Sequence, residues 1–453
     1  MEDCIAVILA AGEGKRMHSS LPKVMHRAAG RPLAQWVAKA AREATNAAPV
    51  LVVGVGAEQV RAYFDDEVRY AEQQEQRGTG HAVMAAQEFL AGDGYALCIA
   101  GDMPLLRAET LKRAVDTARA ERLGVCLLSA VLPDPAGYGR VVRENGDIRR
   151  IVEHRDATAE ERTICEVNTS VYCFHIPALR EALSALRCDN EQCEYYLTDC
   201  VEHIVNSGKR VQALVADAQE CLGVNDRAQL AAAAKVLRSR INTGLMQSGV
   251  TLIDPDAAYI DADVQVGCDA VIYPGVTLEG RTVIGEGAIL YPGSRIENSI
   301  VGRGTTVQNS VVLDARIGEH STIGPYAYLR PGTDIGDGCR VGDFVEVKNA
   351  QIKDGAKVSH LSYIGDGEIG EKSNIGCGVV FSNYDGKKKY RTVVGKDVFV
   401  GCNVNLIAPV SVGDGAYVAA GSTVTEDVEG DALCVARCRQ TVKPGWAKKR
   451  REE

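Results

Sequence analysis

Residues 272–296 run IYPGVTLEGRTVIGEGAILYPGSRI, and in this stretch an aliphatic residue returns every six positions, at Ile272, Leu278, Ile284, Leu290 and Ile296. A helix would repeat its apolar residues at intervals of three and four, and a lone strand at two. A period of six is the mark of a hexapeptide β-helix. Each hexad supplies a short strand and a turn, three hexads make one coil, the aliphatic side chains point inward, and glycine serves turns that need a positive φ. The pattern starts earlier, at Ile260 and Val266. It slips after Ile296 and resumes at Ile317, Ile323, Leu329, Ile335, Val341 and Val347. Further slips lead to Ile352, Val358 and Ile364, then to Ile369, Ile375 and Phe381, and a last run joins Val394, Val400, Leu406, Val412, Val418 and Val424. About nine coils at a strand spacing of ~4.8 Å give a prism roughly 40–45 Å long.

The repeat is first a structural device, so its interruptions are the better places to look for function. The largest lies between Phe381 and Val394, which are thirteen residues apart. The surplus, SNYDGKKKYR at 382–391, leaves the prism as a loop. It is either a tolerated surface insertion or, through its three lysines, an anion-contacting loop.

Outside the repeat the chain changes character. Of its 46 glycines, 29 fall after residue 245. Asp226–Gln247, rich in Ala, Leu, Arg and Lys and closed by Gly249, reads as one long connecting helix. Before it, apolar runs (Cys4–Leu9, Val50–Val55, Ala96–Ala100) alternate with helical patterns (Pro32–Thr45, His81–Leu90). That alternation indicates a mainly parallel, Rossmann-like α/β sheet covered on both faces. The division is therefore 1–224, a linker helix at 225–248, and a β-helix with a C-terminal tail at 249–453.

Composition narrows the function. With 51 Lys plus Arg against 60 Asp plus Glu, the net charge is −9 in 453 residues. This argues against broad nucleic-acid or anionic-membrane binding. The chain opens Met-Glu-Asp with no secretory pattern, and no apolar run approaches the ~20 residues needed to span a bilayer. Fifteen cysteines, an odd number without a CxxC pair, read as free thiols in a reducing cytoplasm. Cys188–Cys193 and Cys434–Cys438 lack partners for a zinc pattern. The basic tail Lys448–Arg451 reads as a frayed terminus.

Two places in the first half invite chemistry. The opening strand runs into LAAGEGKRM at 9–17, whose small residues let backbone N–H groups approach phosphate, with Arg16 and Lys23 to supply charge. The spacing of a P-loop is absent, and Met17 stands where a dinucleotide fingerprint needs its third glycine. An ordinary tight turn fits these residues equally well. Asp102 follows ALCIAG, at the carboxyl end of a parallel strand, where open α/β sheets bind ligands. It is also a plain turn aspartate before Met-Pro.

LAAGEGKRM, LPKV at 21–24, Gln73 with GTGHA at 78–82, AGDMPL at 100–105, GYGR at 137–140, VEH at 152–154, VNTS at 167–170 and GVND at 223–226 stand in the order found in sugar-1-phosphate nucleotidyltransferases. Joined to hexapeptide repeats carrying HLSYIGD at 360–366 and NYDG at 383–386, nearly the whole chain resembles the bacterial bifunctional N-acetylglucosamine-1-phosphate uridyltransferase/glucosamine-1-phosphate acetyltransferase family.

The resemblance implies a left-handed parallel β-helix, a homotrimer, and synthesis of UDP-N-acetylglucosamine for cell-envelope precursors from UTP, acetyl-CoA and glucosamine 1-phosphate, by way of N-acetylglucosamine 1-phosphate. It implies that Leu9, Ala10, Ala11, Gly12, Gln73, Gly78 and Thr79 hold the uridine nucleotide, with Arg16 and Lys23 facing its phosphates. Gly139, Glu153 and Asn168 hold the sugar, and Asp102 and Asn225 bind Mg²⁺. From the residues alone, Asn225 is as good an N-cap for the connecting helix. In the repeat region the histidines are His320 and His360, and by themselves both read as surface residues. The resemblance makes His360 the general base of acetyl transfer, Arg330 and Lys348 phosphate ligands, and Tyr363 and Asn374 sugar contacts. Asn383, Tyr384, Ala420 and Arg437 match acetyl-CoA positions, as do Cys377, where the family often has Ala, and Cys402, where it often has Ser. An acyl-enzyme on either cysteine is set aside, because no base is matched beside them.

Two other readings compete. A monofunctional nucleotidyltransferase could use the β-helix only to form a trimer, but His360, Asn374 and the Asn383–Tyr384 loop are not needed for assembly. A non-catalytic sugar-nucleotide sensor would not need Lys23 and Asp102. A γ-class carbonic anhydrase shares the prism, but this repeat region has too few histidines for its metal.

Overall fold

The computed structural model describes residues 4–452, so the Met1–Asp3 reading lies outside the described residues. The chain divides into two compact units, one up to Leu237 and one from Arg238.

In the first unit seven strands form one sheet in the order Val211–Val215, Val125–Val131, Glu166–His175, Tyr95–Ala100, Cys4–Leu9, Val50–Val53, Arg69–Glu72. Neighbours are parallel, except that Glu166–His175 runs antiparallel to both of its own. A hairpin, Arg140–Glu144 and Asp147–Val152, extends from that strand. Side chains alternate across the pleat, so Ile5 and Val7 enter one core layer and Ala6 and Ile8 the other. Burial on both faces explains the unbroken apolar runs of the sequence.

Some boundaries shift from the sequence reading. Val50–Val53 ends two residues early, at Gly54. The helix expected at His81–Leu90 is Thr79–Ala85 followed by a 3₁₀ turn at Gln87–Phe89. It begins early because Gly78, at φ +102°, turns the chain just before it. The tail forms an exposed helix, Trp446–Glu452, where a frayed end was expected. A Lys448–Glu452 pair at 3.9 Å spans one turn of it.

The connecting helix is Arg227–Gln247. Ala233 and Leu237 pack with Leu33, Leu105 and Val224 in the first unit. Ile241 and Leu245 pack on the core of the second, where buried Asn242 donates to the carbonyls of Pro255 and Ala258.

That second unit consists of three parallel sheets of eleven, ten and nine strands, each strand two to four residues long. Successive coils stack in register, as in Ile272 on Leu290 and Leu290 on Val307. The first face starts at Thr251–Leu252 and ends at Leu433–Cys434, beyond the limits of the six-residue period, so the prism is longer than nine coils.

The slips have a common cause. Val301, Val307 and Val312 fill the gap between Ile296 and Ile317, and each slip is a coil side of five residues in place of six. Every five-residue side turns its corner through one Asn or Asp with positive φ: Asn298, Asn309, Asp314, Asn349 and Asp366. These are the side chains that best tolerate the left-handed region.

Candidate active sites

The carboxyl ends of the parallel strands in the first unit open into a cavity of about 490 Å³. Its wall includes the loop Leu9–Gly12, with Lys23, Gln73, Gly78, Thr79, Asp102 and Glu153. Gln73 is held by its Nε2, which donates to the Gly78 carbonyl at 3.2 Å and lies 3.0 Å from His81 Nδ1. Gly78 cannot carry a side chain, because a Cβ there would lie 2.6 Å from the Tyr195 carbonyl oxygen. Thr79 faces across the cavity and accepts the Leu197 N–H at 3.0 Å.

Asn168 and Gly139 stand behind this wall. Asn168 is buried and donates through Nδ2 to the Tyr172 hydroxyl at 2.7 Å, across a bulge where Ser170 takes a positive φ. Gly139 accepts the Asn168 N–H at 2.9 Å, and a Cβ on it would lie 3.4 Å from Glu153 Oε2. Tyr172 and Glu153 reach the cavity themselves. Burial holds the Glu153 carboxyl above the usual carboxylate range, partly offset by the Thr198 hydroxyl, which donates to it at 3.3 Å.

A smaller cavity of about 250 Å³ adjoins, sharing Glu13, Lys15 and Lys23 and adding Arg16 and Asn225. The Lys23 ammonium forms a short ion pair with Asp102 Oδ2 and donates to Asn225 Oδ1 at 3.2 Å. Arg16 Nη2 donates to the same Asn225 oxygen at 2.8 Å. The cap of the connecting helix is Asp226, whose Oδ1 accepts the Gln229 N–H at 2.8 Å, while Gln229 Oε1 accepts the Asn225 N–H at 2.7 Å. Asp226 thus takes the N-cap, and Gln229 reaches back one residue further than in a capping box, to the Asn225 N–H, so the N-cap reading of Asn225 gives way and its side chain is left to the cavity. Two hard oxygen donors, Asp102 and Asn225, meet on one cationic nitrogen. The donor chemistry fits a small divalent ion that takes its other ligands from phosphate and water.

The second unit carries the remaining residues on two sides of its prism. On one face and the edge beyond it, Arg330 follows Tyr328–Leu329, and Lys348 ends the next strand, Glu346–Lys348. Arg330 is paired with Glu346 at 2.7 Å. Tyr363 stacks in register on Glu346, and Gly365 lies so close that a Cβ there would meet both the Tyr363 hydroxyl and Asn383 Nδ2. The loop after Ser382 is a small hairpin, with Tyr384 bridged to Lys389 and Asp385 Oδ1 accepting the N–H groups of Lys387 and Lys388. Asp366 joins loop to coil. It accepts from Asn349 at 2.7 Å and from Asn383, with Lys348 at 3.9 Å. Burial alone would push this carboxyl up, but these donors and cations hold it below the usual range. Lys348 beside it holds the Lys389 ammonium below the ordinary lysine range, so two cations share this edge.

Asn374 projects from a different face, in register with Lys357 and Phe399. His360, Cys377, Cys402 and Ala420 occupy the turn at the end of that face, each two residues after an inward Val358, Ile375, Val400 or Val418. Arg437 lies against the same turn, its Cδ 3.6 Å from where a Cβ on Gly421 would be. The ring of His360 is bonded through Nδ1 to Asp343 Oδ1 at 2.8 Å.

Residues 6–168 match a MobA-like NTP transferase domain, residues 263–298 a bacterial transferase hexapeptide model of six repeats, and residues 311–412 a GMPPB C-terminal domain. Two curated proteins named Bifunctional protein GlmU align along the full length. That of Acetivibrio thermocellus is 51% identical over 453 residues, covering 99% of this chain and 98% of the relative. That of Caldanaerobacter subterraneus subsp. tengcongensis is 50% identical over 451 residues, covering 99% of each. This chain belongs to the bifunctional GlmU family.

Among the residues named from the sequence, Leu9–Gly12, Lys23, Gln73, Gly78, Thr79, Asp102 and Glu153 line one cavity, and Arg16 and Asn225 line its neighbour. Sequence reasoning missed Asp343, Asp366 and Lys389. Asp343 and Asp366 are visible only as turn residues of the repeat, and their partners lie seventeen residues away on the next coil. The run of three lysines at 387–389 drew attention, but no sequence signal separates Lys389 from its neighbours.

Proposed function

We propose that this chain makes UDP-N-acetylglucosamine in two steps: acetyl transfer from acetyl-CoA to glucosamine 1-phosphate, then uridylyl transfer from UTP to the resulting N-acetylglucosamine 1-phosphate with release of pyrophosphate. The observation that carries the reading is the meeting of Lys23, Asp102 and Asn225 beside the cavity behind the Leu9–Gly12 loop. Residues 1–224 serve uridylyl transfer, 225–248 connect, and 249–453 serve acetyl transfer.

In the first unit the backbone of Leu9–Gly12 approaches the nucleotide, and Gln73, Gly78 and Thr79 meet the base. Arg16 and Lys23 face the triphosphate, while Glu153 holds the sugar against Gly139 and Asn168. A phosphate oxygen of the sugar attacks the α-phosphorus in line as the bond to pyrophosphate breaks. No covalent enzyme group is required; alignment and charge neutralisation carry the rate. Asp102 and Asn225 would hold Mg²⁺, which supplies charge neutralisation of the triphosphate. An ion held there would take over the Asp102 carboxylate and leave Lys23 to face phosphate.

In the second unit His360 takes a proton from the glucosamine amine. Arg330 and Lys348, with Lys389, face the sugar phosphate, and Tyr363 and Asn374 hold the ring. Cys377, Asn383, Tyr384, Cys402, Ala420 and Arg437 line the acetyl-CoA site. These residues stand on two sides of one prism, which supports a site completed between copies, as in a homotrimer. Tyr326 and Phe344, whose rings stack, and Leu361, next to His360, are each more than half exposed and form apolar surface suited to a second copy. The substrates, and fifteen cysteines without a disulfide among them, suit the cytoplasm. No helix among the described residues is long and apolar enough to cross a membrane.

The test is to incubate pure protein with glucosamine 1-phosphate, acetyl-CoA, UTP and Mg²⁺, omitting one component at a time. UDP-N-acetylglucosamine should form only with all four, and N-acetylglucosamine 1-phosphate should replace the first two. Uridylyl transfer without release of CoA from acetyl-CoA and glucosamine 1-phosphate would leave the monofunctional alternative standing.

A further inference from the structure

Asp343 and His360 are register partners on adjacent coils, each two positions beyond an inward valine. Parallel stacking puts such partners about 4.8 Å apart in the backbone, and the short Asp343 side chain spans the remaining distance to the ring at 2.8 Å. The contact is therefore built by the coil repeat and needs no flexible reach. Its hydrogen bond to His360, with a second from its own backbone N–H, holds the Asp343 carboxyl below the usual range, so it is ionised near neutral pH. An ionised carboxylate accepts hydrogen bonds and cannot donate. In the neutral ring Nδ1 must then carry the proton, and Nε2 keeps its lone pair. The side chain of His360 is 57% exposed, which leaves the ring accessible to a substrate. Of the charged or titratable groups around this turn, Arg340 lies on the strand of Asp343, Lys357 on the strand of His360 and Cys377 on the following coil, with Cys402 and Arg437 further along the same row of turns. Among the described residues no other side chain is hydrogen-bonded to the ring.

We propose that Asp343 is a positioning residue for acetyl transfer: it fixes the His360 ring with Nδ1 protonated and Nε2 presented as the proton acceptor. This rests on the reading of His360 as the base. As the amine nitrogen bonds to the thioester carbonyl carbon, its proton passes to Nε2. When the carbon–sulfur bond breaks, that proton leaves with the CoA sulfur as the thiol. Asp343 stays ionised throughout and faces the transient imidazolium.

The test compares Asp343→Ala, Asp343→Asn and His360→Ala in the full chain, with uridylyl transfer in the same samples as the measure of folding. Asp343→Ala should lower kcat for acetyl transfer about ten- to hundredfold, with KM for both substrates within about twofold of wild type. Asp343→Asn should fall between Ala and wild type, because an amide can either accept from Nδ1–H or donate to Nδ1 and so populates both tautomers. An Asp343→Ala enzyme with unchanged kcat, beside an inactive His360→Ala enzyme, overturns the role of Asp343 and leaves the base in place. A raised KM with kcat kept also overturns it, since Asp343 would then be a substrate contact. If His360→Ala acetylates at the wild-type rate, both assignments fall.

Discussion

Lys23 donates through Nζ to Asn225 Oδ1 at 3.2 Å, joining residues 202 positions apart. The bond exists because Asp226 and Gln229 cap the connecting helix and free the Asn225 side chain. The same ammonium pairs with Asp102, so one cation bridges the two proposed Mg²⁺ ligands.

The two activities should therefore separate. Asp102→Asn, which keeps the shape, should abolish measurable uridylyl transfer and leave acetyl transfer intact. Asn225→Ala should raise the Mg²⁺ concentration needed for half-maximal uridylyl transfer about tenfold or more. His360→Ala should do the reverse of Asp102→Asn, keeping uridylyl transfer and losing acetyl transfer. Loss of both activities in a folded variant would contradict the division between units.

Gly78→Ala should unfold the first unit more easily. The position combines φ +102° with a Cβ only 2.6 Å from the Tyr195 oxygen. Strain of this kind costs roughly 1–3 kcal/mol, and the backbone collision adds to it. Urea unfolding followed through Trp36, held by its N–H to the Ala28 carbonyl, would report it.

Asp199 supplies a pH signature. Burial, with Glu202 nearby, pushes its carboxyl up to about 6 from an ordinary value of 3.8. The folded state thus holds this proton more tightly than the unfolded state does. The group costs stability above about pH 6, and the cost disappears as pH falls below about 4. The full shift would correspond to about 3 kcal/mol, reduced to about 1–2 kcal/mol because solvent still reaches the group. Asp199→Asn should stabilise the first unit by that amount at pH 7.5 and by nearly nothing at pH 4, in parallel denaturant titrations.

The five-residue coil sides make a fourth prediction. Asp314 turns its corner at φ +44°. Asp314→Val should cost about 1–2 kcal/mol, whereas Asp314→Gly should lie within a few tenths of wild type. Thermal unfolding of the two variants would rank them, and equal losses would point to a lost side-chain contact instead of backbone strain.

Much of the fold was legible because its signals are periodic and local. The inward residues Ile260 to Val424 were named from spacing alone, and the structure places them in the core, with Val266 only partly buried. The missing stretch, Val301 to Val312, was illegible because three five-residue sides fall close together and break the count. Helix limits shifted where a turn glycine or a capping pair decided them, as at Gly78 and Asp226. The first cavity was legible as motifs at strand ends, whereas Asp343 and Asp366 were not, since a turn aspartate looks alike whether or not the next coil brings a partner.

By itself, then, the sequence determined the α/β unit, the helix and the prism, because apolar period follows backbone geometry residue by residue. Only the tertiary structure decided which side chains meet. Asn225 faces Lys23 because neighbouring residues took over the cap, and Asp343 reaches His360 because coil stacking converts seventeen residues of separation into one strand spacing.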